Sequence, residues 1–112
     1  RVAVRVWGFG WSPLSRSSNS AWQLLPDEEA TAAFRSIPDD VHVVVTHSDR
    51  HPVLARAVQR LQPLIHACGH YHEGNGVTLR QGTVCANASI CDRMFRALLP
   101  SIVIDVPASA FS

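Results

Sequence analysis

The stretch that decides the fold is residues 41–47, which read VHVVVTH. The β-branched run from Val41 to Thr46 predicts a strand buried on both faces, which is therefore central in its sheet and parallel or mixed in its pairing. Residues 64–68, LIHAC, form a second short apolar run that Gly69 stops. The two runs predict neighbouring strands of one sheet.

Two helices are predicted around the first of these strands. Acidic residues load the first turn of a helix from Asp27 to Phe34, where negative charge suits the helix dipole. A second helix begins at Pro52 and ends before Pro63. Its apolar positions form one amphipathic stripe: Val53, Leu54, Ala57, Val58 and Leu61.

The remaining apolar segments are strand-like. Residues Arg1 to Trp7 alternate with the period of a strand that has one buried face. A hairpin is predicted from Val77 to Ala88 around Gln81-Gly82, and Ser101 to Val106 predicts a last alternating strand. The whole indicates an α/β fold with a mixed sheet of about six short strands and two helices.

The composition narrows the class of protein. The 112 residues have a mass of 12.3 kDa and include 46% hydrophobic and 17% charged residues, which is typical of one globular domain or part of one. Ten basic and nine acidic residues leave a formal charge of +1, which argues against a nucleic-acid or anionic-membrane surface. No apolar stretch approaches the roughly 18 residues of a membrane span.

The cysteines bear on the cellular compartment. They are three in number, Cys68, Cys85 and Cys91, and form no CxxC pair, so we expect buried thiols in a reduced, cytoplasmic protein. The chain begins at Arg1, without Met and on a predicted strand. We therefore expect a fragment of a longer domain.

Three histidines follow the ends of predicted strands. His47 follows the first run, and His70 and His72 follow the second. Ligand sites of α/β folds lie outside the carboxyl ends of their strands, and residues i and i+2 of an extended segment project to the same side. Imidazole is a ligand of zinc, iron, nickel and copper. The spacing favours a metal site; the alternative is that His70 and His72 are turn histidines, either hydrogen-bonded or solvated.

Other polar residues favour structural roles. His42 and His66 alternate within the predicted strands, which indicates hydrogen-bonded core histidines. His51 precedes a helix-starting proline and is interpreted as a cap or loop residue. Asp49 and Glu73 lie near the metal candidates, but solvated loop charges are the simpler interpretation. The tryptophans and Phe9 around the serine-rich loop, residues 15–20, predict a lid packed on the core, with base stacking as the alternative.

Five segments resemble one known family. The runs VVVTH and CGHYHEG, separated by about twenty residues, resemble the later motifs of the calcineurin-like metallophosphoesterases, a strand ending in T-H and a second ending in G-H-x-H. Three further segments resemble its brain-type metallophosphoesterase-domain branch, which is related to small phosphodiesterases that act on cyclic nucleotides. These segments are residues 6–8 with 11–13, residues 37–40 and residues 87–91.

The resemblance implies a fold and a set of ligands. The chain would be the C-terminal part of a four-layer α/β/β/α sandwich, with residues 1–112 forming a portion of a single domain. It would contribute to a site for two divalent ions (Mn, Fe, Zn or Mg) at one end of the sheets. His47 and His70 would bind the second metal and His72 the first. Two such ions clamp a phosphate and activate water near neutral pH.

The chain also departs from the family pattern. The earlier motifs D-x-H, G-D and G-N-H-[DE], which supply the other ligands, do not occur in residues 1–112. Where many relatives read T-H-G-P-P before a longer loop, residues 46–52 read THSDRHP. The loop after His47 is therefore shortened.

The leading hypothesis is a metal-dependent phosphoester hydrolase with a small phosphoester substrate, inactive as this isolated fragment. We expect an N-terminal half-domain, or a second copy in a homo-oligomer, to cover the apolar face that half a sandwich exposes. One alternative is a non-catalytic remnant of the same fold that binds metal or a partner protein. The other is a nucleic-acid-binding module that uses the tryptophans.

Overall fold

A computed structural model describes residues 1–10 and 27–111 of the chain. In these residues five strands form one sheet and two helices pack against it. The elements in chain order are β1 (Val6–Phe9), α1 (Asp27–Arg35), β2 (Val43–Thr46), α2 (Pro52–Leu61), β3 (Ile65–Cys68), β4 (Gly76–Arg80) and β5 (Thr83–Asn87). Two single-turn 3-10 helices lie at His72–Gly74 and Ala108–Phe111. The predicted α/β class and mixed sheet are confirmed.

The order of the strands in the sheet is β1-β2-β3-β5-β4. Strands β1, β2, β3 and β5 are parallel, and β4 is antiparallel to β5. The β2 strand is central and parallel, as predicted. Because β1, β2 and β3 are parallel neighbours, their carboxyl ends meet at one edge of the sheet.

Both helices lie on one face of the sheet. The connections β1–α1–β2 and β2–α2–β3 run in the same direction across the sheet, and right-handed crossovers then place both helices on the same side. Phe34 of α1, Val44 of β2 and Leu54 of α2 are each at most 1% exposed and belong to the same core cluster. Trp7 and Phe9 of β1 pack against that cluster, and their rings stack 5.9 Å apart.

Neither α1 nor α2 covers the opposite face of the sheet. Side chains of this face remain open to solvent: Val45 is 41% exposed, Val77 51% and Leu79 73%. The prediction that residues 41–46 are buried on both faces is therefore wrong. Within β2, Val44 and Thr46 are buried, whereas Val45 on the opposite face is exposed. The β-branched run reflects strand propensity and parallel pairing, and not double burial.

Helix α2 begins and ends as its sequence predicts. His51 is its N-cap, and its side chain accepts a hydrogen bond from the Val53 N–H. Pro52 takes the first helical position, where a missing N–H costs nothing. Gln62 closes the helix in the left-handed conformation, directly before Pro63. The predicted roles of both prolines are confirmed.

Two strand predictions differ from the structure. The first strand is Val6–Phe9, and residues 1–5 precede it as exposed chain. Residues 101–106 are not a strand, although their side chains alternate between exposed and half-buried. Alternation reports which side of the segment packs on the protein, whereas a strand also needs a hydrogen-bonded neighbour. No ladder partner for this segment is present among residues 1–10 and 27–111.

The predicted hairpin is confirmed, with its turn at Gln81-Gly82. Both turn residues have positive φ, 49° and 87°, as a two-residue turn of this kind requires. The serine-rich loop, Trp11 and Trp22 lie outside the described residues. None of the helices described here is long and apolar enough to cross a membrane.

Candidate metal centre

Two of the predicted metal ligands come from the ends of neighbouring parallel strands. His47 follows β2 directly, and His70 lies two positions after β3. The Gly69 N–H donates a hydrogen bond of 2.9 Å to the His47 carbonyl, which extends the contact between the two segments beyond the strands. The carboxyl edge of the sheet thus brings both imidazoles to one place, as the sequence predicts.

The two imidazoles are in direct contact. His47 Nε2 lies 3.0 Å from His70 Nδ1, and the ring centroids are 4.8 Å apart. Without a metal ion, this distance is a hydrogen bond in which one ring donates and the other accepts. Two nitrogens bound cis to one octahedral ion at about 2.1 Å also lie about 3.0 Å apart. The separation therefore fits two ligands of a single ion.

The backbone at His70 is strained. His70 has a φ of 66°, which is uncommon for a residue with a side chain. The Tyr71 N–H donates to the Gly69 carbonyl at 2.8 Å, so His70 is the central residue of a tight three-residue turn. Such strain persists only where the surroundings hold it, and it is concentrated at functional sites. The turn aims the His70 imidazole at His47.

The protonation of His47 suits metal binding. Burial lowers the pKa of the His47 imidazole, and the neighbouring His70 lowers it further. Because a metal ligand must present a lone pair, the neutral form is the one that binds. The pair therefore favours the neutral form of His47 near pH 7.

His72 does not join the pair. It begins a 3-10 turn, and its Nδ1 lies 3.0 Å from the backbone carbonyl of Asp92. In the part of the chain that the structure describes, no three side chains of His, Cys, Asp or Glu come together as a group able to hold a metal ion. The structure brings together two of the three predicted ligands, and the third stands by itself.

The two carboxylates near the histidines form ion pairs. Glu73 pairs with Arg93, whose hydrogen bond holds the pKa of the Glu73 carboxyl below its usual range. Asp49 lies 3.7 Å from Arg80 on β4. Both are charged loop residues, as predicted, although each has an arginine partner instead of solvent alone.

The remaining histidines have structural roles. His66 is 5% exposed, and its Nε2 hydrogen-bonds to Thr46 Oγ1 at 2.9 Å, as expected of a satisfied core histidine. His51 is the buried helix cap described above. His42 accepts the Arg5 N–H at 3.0 Å but is only half-buried, so it is satisfied without being in the core.

A groove lies along the segments that follow β2 and β3, and neither His47 nor His70 lines it. Its volume is about 320 Å³, and its polar lining includes Asp49, Arg50, Tyr71 and Asn87. The Arg50 guanidinium stacks on the Tyr71 ring at 4.1 Å. Asn87 Nδ2 donates a hydrogen bond of 2.8 Å to the Tyr71 carbonyl. This bond fixes the segment between His70 and His72.

The residues that contact His72 could not be recognised from the sequence. Asp92 lies 20 positions further along the chain, and Phe95 places its ring edge-on to the imidazole with centroids 5.3 Å apart. The only local signal is Asp92 itself, a residue type that favours turns. Nothing in its spacing points to His72.

The chain is similar in sequence to several known proteins. The chain is 30% identical over 120 residues to metallophosphoesterase domain-containing protein 1 of Homo sapiens and, equally, of Mus musculus. It is 27% identical over 100 residues to UPF0046 protein K07C11.7 of Caenorhabditis elegans. These alignments cover 90% and 76% of this chain respectively. The chain is therefore similar to proteins named metallophosphoesterase domain-containing protein 1.

The similarity covers a limited part of each relative. The chain spans about a third of the length of the curated relatives it matches, 33% of the human protein and 34% of the nematode one. No protein-family model matches the chain. The 30% identity to the human protein over 90% of this chain supports the resemblance that the motifs indicate.

Proposed function

We propose that this chain is the C-terminal part of a metal-dependent phosphoester hydrolase. The observation that carries the proposal is the contact of His47 Nε2 with His70 Nδ1 at the carboxyl edge of a parallel sheet. The printed name of the human and mouse relatives, metallophosphoesterase domain-containing protein 1, supports the same reaction class. The substrate is a small phosphodiester or phosphomonoester.

In this proposal, His47 and His70 hold one divalent ion between them, and His72 contributes to a second. Two such ions together orient a phosphoester, polarise its phosphoryl oxygen and activate water. The role of the chain itself is to present neutral imidazoles. The lowered pKa of His47 and the strained turn at His70 both serve that role.

The described residues do not hold a complete binuclear site. A pair of imidazoles leaves most positions of one ion open, and residues 1–10 and 27–111 bring no third His, Cys, Asp or Glu to the pair, so other donors are needed. We propose that an N-terminal half-domain or a second copy supplies them and also covers the exposed Val45, Val77 and Leu79 face. The isolated chain is then a weak metal binder and a poor catalyst.

Metal binding tests the histidine pair directly. Zn²⁺ titration calorimetry compares the chain with His47→Ala and His70→Ala, and each variant is expected to lose at least about tenfold in affinity. His42→Ala is the matched control, because His42 precedes β2 at the opposite end of the sheet. Equal affinities for all four proteins would contradict the pair as a metal site.

Hydrolysis tests the reaction class. Bis-(p-nitrophenyl) phosphate with Mn²⁺ is assayed on the 112-residue chain and on the product of the whole gene that encodes it. We expect activity in the whole product, little in the chain, and a loss of at least about 10–100-fold from His72→Ala in the whole product. Equal rates for the whole product and its His72→Ala variant would refute the role of His72.

A non-catalytic remnant that binds a partner is the second candidate. The observations that favour it are the separation of His72 from the pair and the apolar, helix-free face of the sheet. Size-exclusion chromatography with light scattering distinguishes the cases. A stable, inert monomer would indicate an independent small domain. Self-association would indicate that the apolar face of the sheet is normally covered by another surface.

A further inference from the structure

We propose that the turn from Asp92 to Arg96 is a clamp that orients His72, with Asp92 and Phe95 as positioning residues. The clamp presents the Nε2 lone pair of His72 for binding. Its consequence for metal affinity rests on the proposed function, whereas the clamp itself is a property of the metal-free chain.

The hydrogen bond to Asp92 defines the tautomer of His72. His72 Nδ1 lies 3.0 Å from the Asp92 carbonyl oxygen. A carbonyl only accepts hydrogen bonds, so Nδ1 must carry the proton, and the lone pair of the neutral ring is on Nε2. Histidines that bind metals usually donate their other N–H to a carbonyl or carboxylate in this way. The contact thus prepares Nε2 as a ligand.

Phe95 restricts the ring of His72 from the side. The two rings meet edge to face, with centroids 5.3 Å apart and an interplanar angle of 86°. Phe95 is 80% exposed and has a φ of 59°, an unusual conformation for a bulky residue. Burial of Phe95 does not account for this strain. The Phe95 N–H donates to the Asp92 carbonyl at 3.0 Å and the Asp92 N–H to the Arg96 carbonyl at 2.9 Å, so the positive φ closes a tight turn that also brings the Phe95 ring against His72.

Hydrogen bonds within the turn, and an ion pair to the segment of His72, stabilise the clamp. Asp92 Oδ1 accepts hydrogen bonds from the Met94 N–H at 2.8 Å and the Arg96 N–H at 3.0 Å, and Asp92 Oδ2 accepts from Arg96 Nε at 2.7 Å. Arg93 forms an ion pair with Glu73, the residue directly after His72. The turn is therefore tied to the segment whose histidine it holds.

The histidine tautomer is measured by long-range ¹H–¹⁵N NMR of the metal-free chain. At pH 8.5, well above the ordinary histidine pKa of about 6.5, the spectrum distinguishes a protonated ring nitrogen from one with a lone pair. We expect His72 to be a single tautomer with the proton on Nδ1. A His72 that protonates Nε2, or that mixes both tautomers, would overturn the proposal.

Four variants separate positioning from folding. Asp92→Ala removes the carboxylate that shapes the turn and should mix the His72 tautomers, whereas Asp92→Asn retains an acceptor oxygen and should rescue the single tautomer. Phe95→Gly relieves the positive φ, keeps the turn and should free the ring. Phe111→Ala is the matched control, because Phe111 meets His42 edge to face at the same 5.3 Å. Unchanged His72 signals in both Asp92→Ala and Phe95→Gly would refute the clamp.

Zn²⁺ affinity then distinguishes the clamp from the proposed function. If His72 binds metal, Asp92→Ala should weaken binding by about 10–100-fold, and Phe111→Ala should not. A single Nδ1–H tautomer together with a Zn²⁺ affinity that His72→Ala leaves unchanged would support the clamp and contradict His72 as a metal ligand. Metal binding that needs His72 but is unaffected by Asp92→Ala and Phe95→Gly would support the site and contradict the clamp.

Discussion

His47 and His70 lie 23 positions apart in the chain, yet their Nε2 and Nδ1 atoms are 3.0 Å apart in the structure. Parallel pairing of β2 with β3 places the ends of both strands at one edge, and the Gly69 N–H to His47 carbonyl bond joins the loops that follow. The contact depends on the fold and not on local sequence. The protonation of His47 should therefore depend on the presence of His70.

The pKa of His47, measured by pH titration, should depend on the neighbouring His70. Burial and His70 both lower the pKa of His47, so NMR should place its midpoint below the ordinary value of about 6.5. Because His70→Ala removes the second cause and leaves the first, the midpoint should rise in that variant but stay below 6.5. A midpoint at or above 6.5 in the wild-type chain would contradict the contact.

The stability of the chain should fall on mild acidification. Burial lowers the pKa of both His47 and His66 in the folded state, so the unfolded state binds more protons between the folded pKa values and about 6.5. The free energy of unfolding therefore rises with pH through this window. The stabilising contribution of the two histidines is lost as pH falls through the same window.

Urea unfolding at pH 7.5, 6.5 and 5.5 measures this dependence. The midpoint should drop from pH 7.5 to pH 5.5, and His47→Asn should reduce the drop because it removes one of the two groups. A midpoint that is constant, or that rises on acidification, would show that these histidines are not desolvated in the folded state.

Burial in the core should decide the effect of truncating a leucine. Leu54 of α2 is fully buried, whereas Leu79 of β4 is 73% exposed. Leu54→Ala should lower the free energy of unfolding by about 2–5 kcal/mol, and Leu79→Ala by about 0.5 kcal/mol or less. Chemical denaturation followed by circular dichroism gives both values. A large effect of Leu79→Ala would indicate that its face is covered in solution.

The hairpin turn should respond to both of its residues in opposite directions. Gly82 has a φ of 87° and open space around its Cβ position, so Gly82→Ala should destabilise the chain by about 1 kcal/mol through backbone strain alone. Gln81 has a φ of 49°, and Gln81→Asn should raise the urea midpoint because Asn tolerates this conformation better. A neutral Gly82→Ala would mean that the turn relaxes to another type.

Much of the fold could be predicted from local patterns. Helix α2 is an example, because Pro52, Pro63 and an amphipathic stripe are signals within a dozen residues. The hairpin at Gln81-Gly82 is another. The strand predicted at residues 101–106 was wrong, because alternation indicates an extended, one-sided segment but does not provide a neighbour to pair with.

The candidate site could be predicted only in part. The spacing of His47 and His70 after two apolar runs indicated one sheet edge, and the structure brings these rings together. The same reasoning added His72, whose neighbours are instead Asp92 and Phe95 from a later turn. The predicted role of His72 as a ligand stays a prediction.

The sequence by itself determined both helices, the hairpin and the strands β2 and β3, where α2 begins and ends, and that His47 and His70 follow neighbouring strands. These features depend on propensities and periodicities that act over a few residues. The tertiary structure decided the rest: the exposed Val45 side of the sheet, the strained turn that aims His70 at His47, and the partners of His72. Each depends on groups far apart in the chain, whose contacts arise only when the whole sheet and its loops have packed.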